Sequence, residues 1–304
     1  MFEALIYSLY DCAKAIYNIT HKLPTYCEYI PSNDNKIGNN LFIPIGEGAK
    51  GTIYLNISQS CPHTYLVGTT GSGKSNLLKS ILCTIINNHK NVKLILCDYK
   101  RCELSMFADC TNVITISYTE EDISNTIANT YQMVLDKYNN LMQQGRYQCS
   151  PYEEIILLVI EEIALMNKAT MKVLRKLMSI SRAVNVYVIF TCQRPSNECI
   201  DNVVKSLVTN KIVLRVENKK NSIISLDEVG AELLRGNGHG IYANQNGKIE
   251  FQSYYLKDKI LNETIRVNSK SKNIKSNKVN GKVEKSSTLC GNDKFKNDDW
   301  INDL

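Results

Sequence analysis

Gly68-Thr69-Thr70-Gly71-Ser72-Gly73-Lys74-Ser75 follows the apolar run Tyr65-Leu66-Val67 and precedes Asn76-Leu77-Leu78. It matches the phosphate-loop pattern G-x-x-x-x-G-K-S/T without a gap. Glycines let the backbone curl so that consecutive N–H groups face phosphate oxygens. The helix expected from Ser75 to about Asn88 adds its positive dipole end. In that arrangement Lys74 reaches the β- and γ-phosphates and the Ser75 hydroxyl ligates Mg²⁺. Gly68 through Asn76 is therefore the candidate nucleotide cradle.

Outward from this loop the chain alternates strand and helix signals, from Leu41 to about Leu256. Leu41–Ile45 and Thr52–Leu55 read as short strands leading to Tyr65–Val67. Val92–Cys97, Val113–Ile116, Ile155–Ile160, Val186–Phe190 and Ile212–Val216 read as further strands. Asp122–Met142 is a long helix with Ile123, Ile127, Tyr131, Val134, Leu135, Tyr138 and Leu141 on one face, closed by Gly145. A shorter helix is expected around Thr170–Arg182. Asn244-Gln245-Asn246-Gly247 reads as a hairpin turn before Lys248–Tyr255. Continuous apolar strands separated by helices imply an α/β domain whose mainly parallel sheet is covered on both faces.

Hydrolysis needs more than a phosphate loop. Glu161-Glu162 follow the run Ile155–Ile160, which places two carboxylates at a strand's carboxyl end, where α/β sheets position ligands. Glu161 would hold Mg²⁺ and Glu162 would orient or deprotonate the attacking water. Gln193 ends the next apolar strand, where its amide can contact a γ-phosphate.

The chain has 304 residues and a formal charge of +6, enough for one large or two small domains. No uncharged apolar run is long enough to span a membrane. The start lacks the basic region and cleavage site of a secretory signal, so a cytoplasmic protein is expected. Eleven cysteines and four histidines are scattered without metal-ligand spacing and read as reduced thiols and dispersed imidazoles. Residues 2–20 carry an apolar stripe at helical spacing. This helix either packs on the domain or contacts a subunit or a membrane surface, and a linker with Pro24 and Pro31 follows it. After Leu256, and most clearly after Val267, lysines among Asn, Ser and Gly read as a disordered tail. That tail is either a solvated solubility segment or an arm for DNA phosphates. Its acidic end around Trp300 is either a fraying terminus or a docking peptide.

Several ordered blocks resemble the FtsK/SpoIIIE DNA translocases. They are Cys61-Pro62-His63 through Ser75, Asp98-Tyr99-Lys100-Arg101-Cys102-Glu103-Leu104-Ser105, and Ser181-Arg182-Ala183 with Thr191-Cys192-Gln193-Arg194-Pro195-Ser196. Leu226-Asp227 with Gly230-Ala231-Glu232-Leu233-Leu234 and Gly236-Asn237-Gly238 completes the set. The resemblance covers about residues 41–256. It implies a RecA-like P-loop NTPase that hydrolyses ATP with Mg²⁺, assembles as a hexameric ring and moves double-stranded DNA through the pore. By the same resemblance Lys74, Ser75, Glu161, Glu162 and Gln193 keep the roles above, while Arg182 or Arg194 acts near a neighbour's phosphates.

Three positions depart from the pattern. Asp98-Tyr99-Lys100 stands for D-P-K, and Glu161 stands for the usual Asp. Ser222-Ile223-Ile224-Ser225-Leu226-Asp227 stands for S-R-T-I-L-D and lacks its arginine, so Lys219 or Lys220 would have to substitute. An arginine finger can be worth several powers of ten in rate.

The expected organisation is thus an N-terminal helix and linker (1–40), the ATPase motor (41–256) and a Lys-rich tail (257–304). With no membrane-spanning or winged-helix part in view, the expectation is a motor of a plasmid, conjugative element or phage, recruited to a relaxase or membrane channel through the tail. The alternative is a low-turnover nucleotide-binding adaptor that couples DNA to a partner.

Overall fold

The computed structural model describes residues 23–31, 41–197 and 202–270. The stripe at 2–20, the lysines beyond Lys270 and the Trp300 segment lie outside them. In chain order the elements begin with β1 (Cys27–Glu28), β2 (Leu41–Gly48), β3 (Gly51–Ile57), β4 (His63–Val67) and α1 (Lys74–Asn88). β5 (Val92–Asp98), β6 (Val113–Ser117), α2 (Glu120–Gln143), β7 (Ile155–Glu161), α3 (Lys168–Ile180) and β8 (Val186–Cys192) follow. The last are α4 (Asn202–Leu207), β9 (Asn210–Leu214), α5 (Lys219–Leu226), β10 (His239–Asn244), β11 (Gly247–Tyr255) and α6 (Asp258–Asn268).

The strands form one sheet in the order β3-β2-β11-β10-β9-β4-β8-β7-β5-β6, with β1 added to β11. From β9 to β6 every pairing is parallel. From β9 to β3 every pairing is antiparallel. The parallel strands β4, β7 and β8 are buried along their whole length, which is why they read as unbroken apolar runs. β2 nearer the edge alternates instead and carries a bulge between Pro44 and Gly46, a place where a strand tolerates proline.

Each face of the sheet has its own core. Ile123, Ile127 and Val134 of α2 join Leu174 and Leu177 of α3 over one face. Leu77, Leu78, Ile81 and Ile85 of α1 join Leu261 of α6 over the other. Burying each such side chain contributes about 1.5–3 kcal/mol. α2 begins at Thr119, whose hydroxyl caps the Asp122 N–H, and its first turn carries Glu120, Glu121 and Asp122, charges that suit a helix's positive end. Gly145, at φ 67°, lies just beyond its end. Among the described residues no helix is long and apolar enough to cross a membrane, and the cysteines are free.

Two expectations change. The segment read as linker contains β1, which pairs Cys27 with Tyr254 and Glu28 with Tyr255 in parallel. The boundary placed at Leu256 moves to Lys270, because α6 packs on α1. Leu261 is buried there, Asn87 donates to Thr264 (3.0 Å), and Lys90 donates to Asn268 (2.6 Å).

His63 opens β4 fully enclosed, 1% exposed. Its Nδ1 accepts the Val188 N–H (3.1 Å) and its Nε2 lies 2.9 Å from the Met178 carbonyl. That is one acceptor and one donor, the inventory of the neutral ring. Burial lowers its pKa to about 4, against the pull of the Met178 carbonyl. An unfolded histidine titrates near 6.5, so the unfolded chain takes up the proton first. Stability from this group is complete above that value and is lost as pH falls towards 4, on the order of 3 kcal/mol in all. In urea titrations across this range His63→Gln should lose that part of the wild-type pH dependence; parallel curves would contradict the assignment.

Candidate active site

β4 ends where the phosphate loop begins, and the loop is sewn to both neighbouring strands. The Gly68 N–H donates to the Cys192 carbonyl (3.1 Å), and the Thr69 N–H donates to the Arg215 carbonyl (2.9 Å). A third attachment comes from Gly236-Asn237-Gly238. The Gly238 N–H donates to the Ser72 carbonyl (2.6 Å) and the Asn237 N–H to the Gly71 carbonyl (3.3 Å). Gly73 sits at φ 98°, and a Cβ there would lie 2.6 Å from the Gly238 nitrogen, so only glycine fits. With the Ser72 carbonyl turned towards Gly238, the Gly73 N–H of the same planar peptide points the opposite way. α1 then starts with no capping side chain and no acid in its first turn. Its first N–H groups and dipole are left for an anion, which fits a phosphate.

Across from the loop, β7 delivers Glu161 and Glu162. Glu161 is 1% exposed, Glu162 5% and Lys74 4%. Lys74 Nζ lies 3.4 Å from Glu161 Oε1 and 3.2 Å from Thr191 Oγ1. Thr191 also accepts the Glu162 N–H (3.0 Å), so one hydroxyl on β8 fixes both the lysine and the carboxylate strand. Glu162 has φ 63° and ψ 69°, a left-handed conformation that costs a non-glycine residue roughly 1–2 kcal/mol. The conformation aims Oε1 at the Gln193 N–H (3.1 Å) and Oε2 at Lys100 Nζ (2.9 Å). Lys100 stands also 3.6 Å from Glu161. Burial pushes the Glu161 carboxyl above the ordinary carboxylate range, Glu162 adds to the push, and Lys74 and Lys100 oppose it. Its Oε2 is buried without a hydrogen-bond partner. An unsatisfied carboxylate oxygen beside a phosphate loop fits a hard divalent cation such as Mg²⁺.

The Asp98–Ser105 block supplies residues that were quoted above without a role. Asp98 is fully buried at the end of β5, and its Oδ2 accepts the N–H groups of Glu103 (3.2 Å), Leu104 (2.8 Å) and Ser105 (3.1 Å). The triple contact shapes the loop that carries Lys100 to the carboxylates. The same loop brings Glu103 to Lys79 (2.9 Å). Burial alone would raise Glu103, but bonds from Ser75 and Lys79 bring it below the usual range. Glu103 therefore stands at the hydroxyl expected to meet Mg²⁺.

Gly68–Ser75, Glu161, Glu162 and Gln193 all meet at the carboxyl ends of β4, β8 and β7. Asn76 is a correction in part. Its amide donates to the Leu256 carbonyl (3.0 Å) and accepts the Leu256 N–H (2.8 Å), so its side chain is a strut and only its backbone N–H is left for the cradle. Arg182 does not join this chain's site. It is exposed in the turn before β8, at the amino ends of the strands, about 20 Å from the loop along a seven-residue strand. Arg194, Lys219 and Lys220 are exposed at the carboxyl edge.

The sequence is similar to "DNA translocase FtsK" of Treponema pallidum, 29% identical over 253 residues, covering 75% of this chain and 31% of that protein. Against the same protein of Streptococcus pneumoniae it is 26% identical over 260 residues, covering 77% and 34%. The chain thus spans about a third of these relatives' length. In fold it is similar to the pCW3 conjugation coupling protein TcpA, solved in monomer form with ATPγS, at TM-score 0.70 and 21% identity over 82% of this chain and 75% of that one. It is also similar to the cytoplasmic domain of the Thermomonospora curvata type VII secretion ATPase EccC, at TM-score 0.65 and 18% identity over 83% and 33%. These likenesses assign a RecA-like α/β P-loop ATPase fold. The FtsK/SpoIIIE family model matches residues 33–247, a span that holds the phosphate loop, both carboxylates and Gln193, and the chain belongs to that family.

Proposed function

We propose that this chain is the motor of a ring-forming machine that hydrolyses ATP to move double-stranded DNA. The observation that carries the reading is a linked set beside the phosphate loop: Lys74 meets Glu161 and Thr191, while Glu162 meets Thr191 and the Gln193 N–H. In this reading Lys74 and the first N–H groups of α1 hold the β- and γ-phosphates. Ser75 and Glu161 hold Mg²⁺, which when bound neutralises phosphate charge and orients the leaving group. Glu162 exchanges one of its two present contacts for a water and takes that water's proton, while the Gln193 amide meets the γ-phosphate.

The DNA substrate draws on the relatives named as DNA translocases, and the hexameric ring is what the family resemblance implies. In this reading Arg182, on the edge away from its own site, serves a neighbour's. A role for a plasmid, conjugative element or phage, in the cytoplasm or at a membrane complex with a relaxase or channel, draws on the fold shared with a conjugation coupling protein. The adaptor reading is favoured by one observation: α5 and its flanks carry no arginine at the position the family pattern gives one.

Lys74→Ala should lower ATP hydrolysis roughly 10²–10³-fold with weaker nucleotide binding. Glu162→Gln should retain ATP binding and lose about 10²–10⁴-fold in kcat. Equal kcat for Glu162→Gln and wild type in single-turnover assays would remove Glu162 from the chemistry. Duplex DNA should stimulate wild-type hydrolysis; no stimulation by single- or double-stranded DNA, with turnover absent throughout, would establish the adaptor instead.

A further inference from the structure

Beside the phosphate loop, on the side away from Glu161 and Glu162, lies a cavity of about 540 Å³. Gly71, Gly73 and Asn76 of the phosphate loop and Gly238 of its brace line it. Tyr26 and Tyr255 also line it, and neither tyrosine falls inside the matched family span of 33–247. Tyr26 rides on residues 23–31, which are fastened at several points. β1 pairs with the end of β11, the Tyr29 N–H donates to the Tyr255 carbonyl (2.9 Å), and the Tyr29 hydroxyl lies 2.9 Å from Thr84 Oγ1. Arg235 donates to the Pro24 carbonyl (3.1 Å), and Lys257 pairs with Glu28 (2.7 Å). The strap therefore holds Tyr26 at a fixed place.

The two rings lie 5.9 Å apart at 41°. Tyr26 is 56% exposed and Tyr255 50% exposed, so each shows about half its surface although the backbone beneath it is pinned. Of the three amides in its lining, two are already committed. Asn76 binds the Leu256 backbone, and Gln252 donates to the Asn237 carbonyl (2.7 Å) and accepts from Arg235 (3.4 Å). Tyr26 and Tyr255 add exposed aromatic face to the cavity, at a volume suited to a small ligand.

We propose that this cavity is the nucleoside pocket of the phosphate loop, and that Tyr26, with Tyr255, grips a purine base by stacking. The proposal rests on the ATP reading above and adds to it a determinant of nucleotide affinity and base class. Grip through ring faces favours the larger purine over a pyrimidine, because the purine offers more stacking area.

The test is calorimetric titration of the full chain in Mg²⁺ with ATP, CTP and inorganic tripolyphosphate, for wild type, Tyr26→Phe and Tyr26→Ala. Wild type should bind ATP more tightly than CTP, and Tyr26→Phe should match wild type. Tyr26→Ala should lose about ten-fold in ATP affinity while tripolyphosphate binding stays unchanged. Unchanged ATP binding in Tyr26→Ala, an equal loss for tripolyphosphate, or equal wild-type affinity for ATP and CTP would each overturn the pocket and leave the ATP reading standing. A wild-type chain that binds tripolyphosphate but neither nucleotide, or none of the three, would overturn both.

Discussion

A single backbone hydrogen bond, from the Gly238 N–H to the Ser72 carbonyl at 2.6 Å, sets the shape of the phosphate loop. It requires two segments of the chain to approach so closely that a side chain at Gly73 or Gly238 would collide. A Cβ on Gly73 would meet the Gly238 nitrogen, and one on Gly238 would lie 2.1 Å from Ser253 Oγ. The turn that donates the bond is itself held by the Ser253 N–H to Gly238 (2.8 Å) and by Gln252 to Asn237 (2.7 Å). The loop that faces the parallel half of the sheet is therefore braced by the antiparallel hairpin β10–β11. Without that brace the Ser72–Gly73 peptide could rotate and the N–H groups would lose their common direction.

The chemistry at the other side depends on balanced burial of charge. Lys74 and Lys100 face Glu161 and Glu162, two cations against two carboxylates in a largely closed space. Taking such ions out of water is costly, and removing one partner of a buried pair costs about 3–5 kcal/mol. Stability alone does not require this arrangement, since apolar side chains of similar volume would fill the space at less expense. Asp98 shows the alternative solution within the same site. One oxygen of its buried carboxylate, Oδ2, is satisfied by three backbone N–H groups, which cost no second buried charge. The cluster keeps real counter-ions where phosphate and Mg²⁺ would enter, and uses backbone dipoles where the task is only to hold a loop.

Much of this was legible in the residues, for identifiable reasons. β4, β7 and β8 read as apolar runs at Tyr65–Val67, Ile155–Ile160 and Val186–Phe190 because both faces are covered, and Glu161-Glu162 break the pattern at the strand's carboxyl end. The stripe on α2 appears at its expected spacing, with Ile123, Ile127, Val134 and Leu141 buried. What could not be read depended on partners distant in sequence. β1 is two residues long and carries no periodic signal. Asn76 looks like part of the cradle until its amide is seen to pair with Leu256, 180 positions away. Arg182 has the right residue type, but the amino end of β8, not its motif, decides which edge it occupies.

α6 was missed because its sequence is polar, and the reason it folds lies in what it clasps. The side chain of Asn76, in the first turn of α1, is bound to Leu256 at the end of β11. Two residues later the chain enters α6, which returns along α1 and ties Thr264 and Asn268 to Asn87 and Lys90 at the far end. One continuous segment, 256–268, thus grips α1 at both ends, with Leu261 buried between the polar contacts. Amide pairs and the apolar contacts of Leu261, Ile260 and Ile265 suffice, because each polar group finds a partner already fixed on a packed helix. The consequence reaches the phosphate site. α1 supplies the N–H groups that face a phosphate, so any shift of that helix must carry β11, and with it the Gly236–Gly238 brace, as one body.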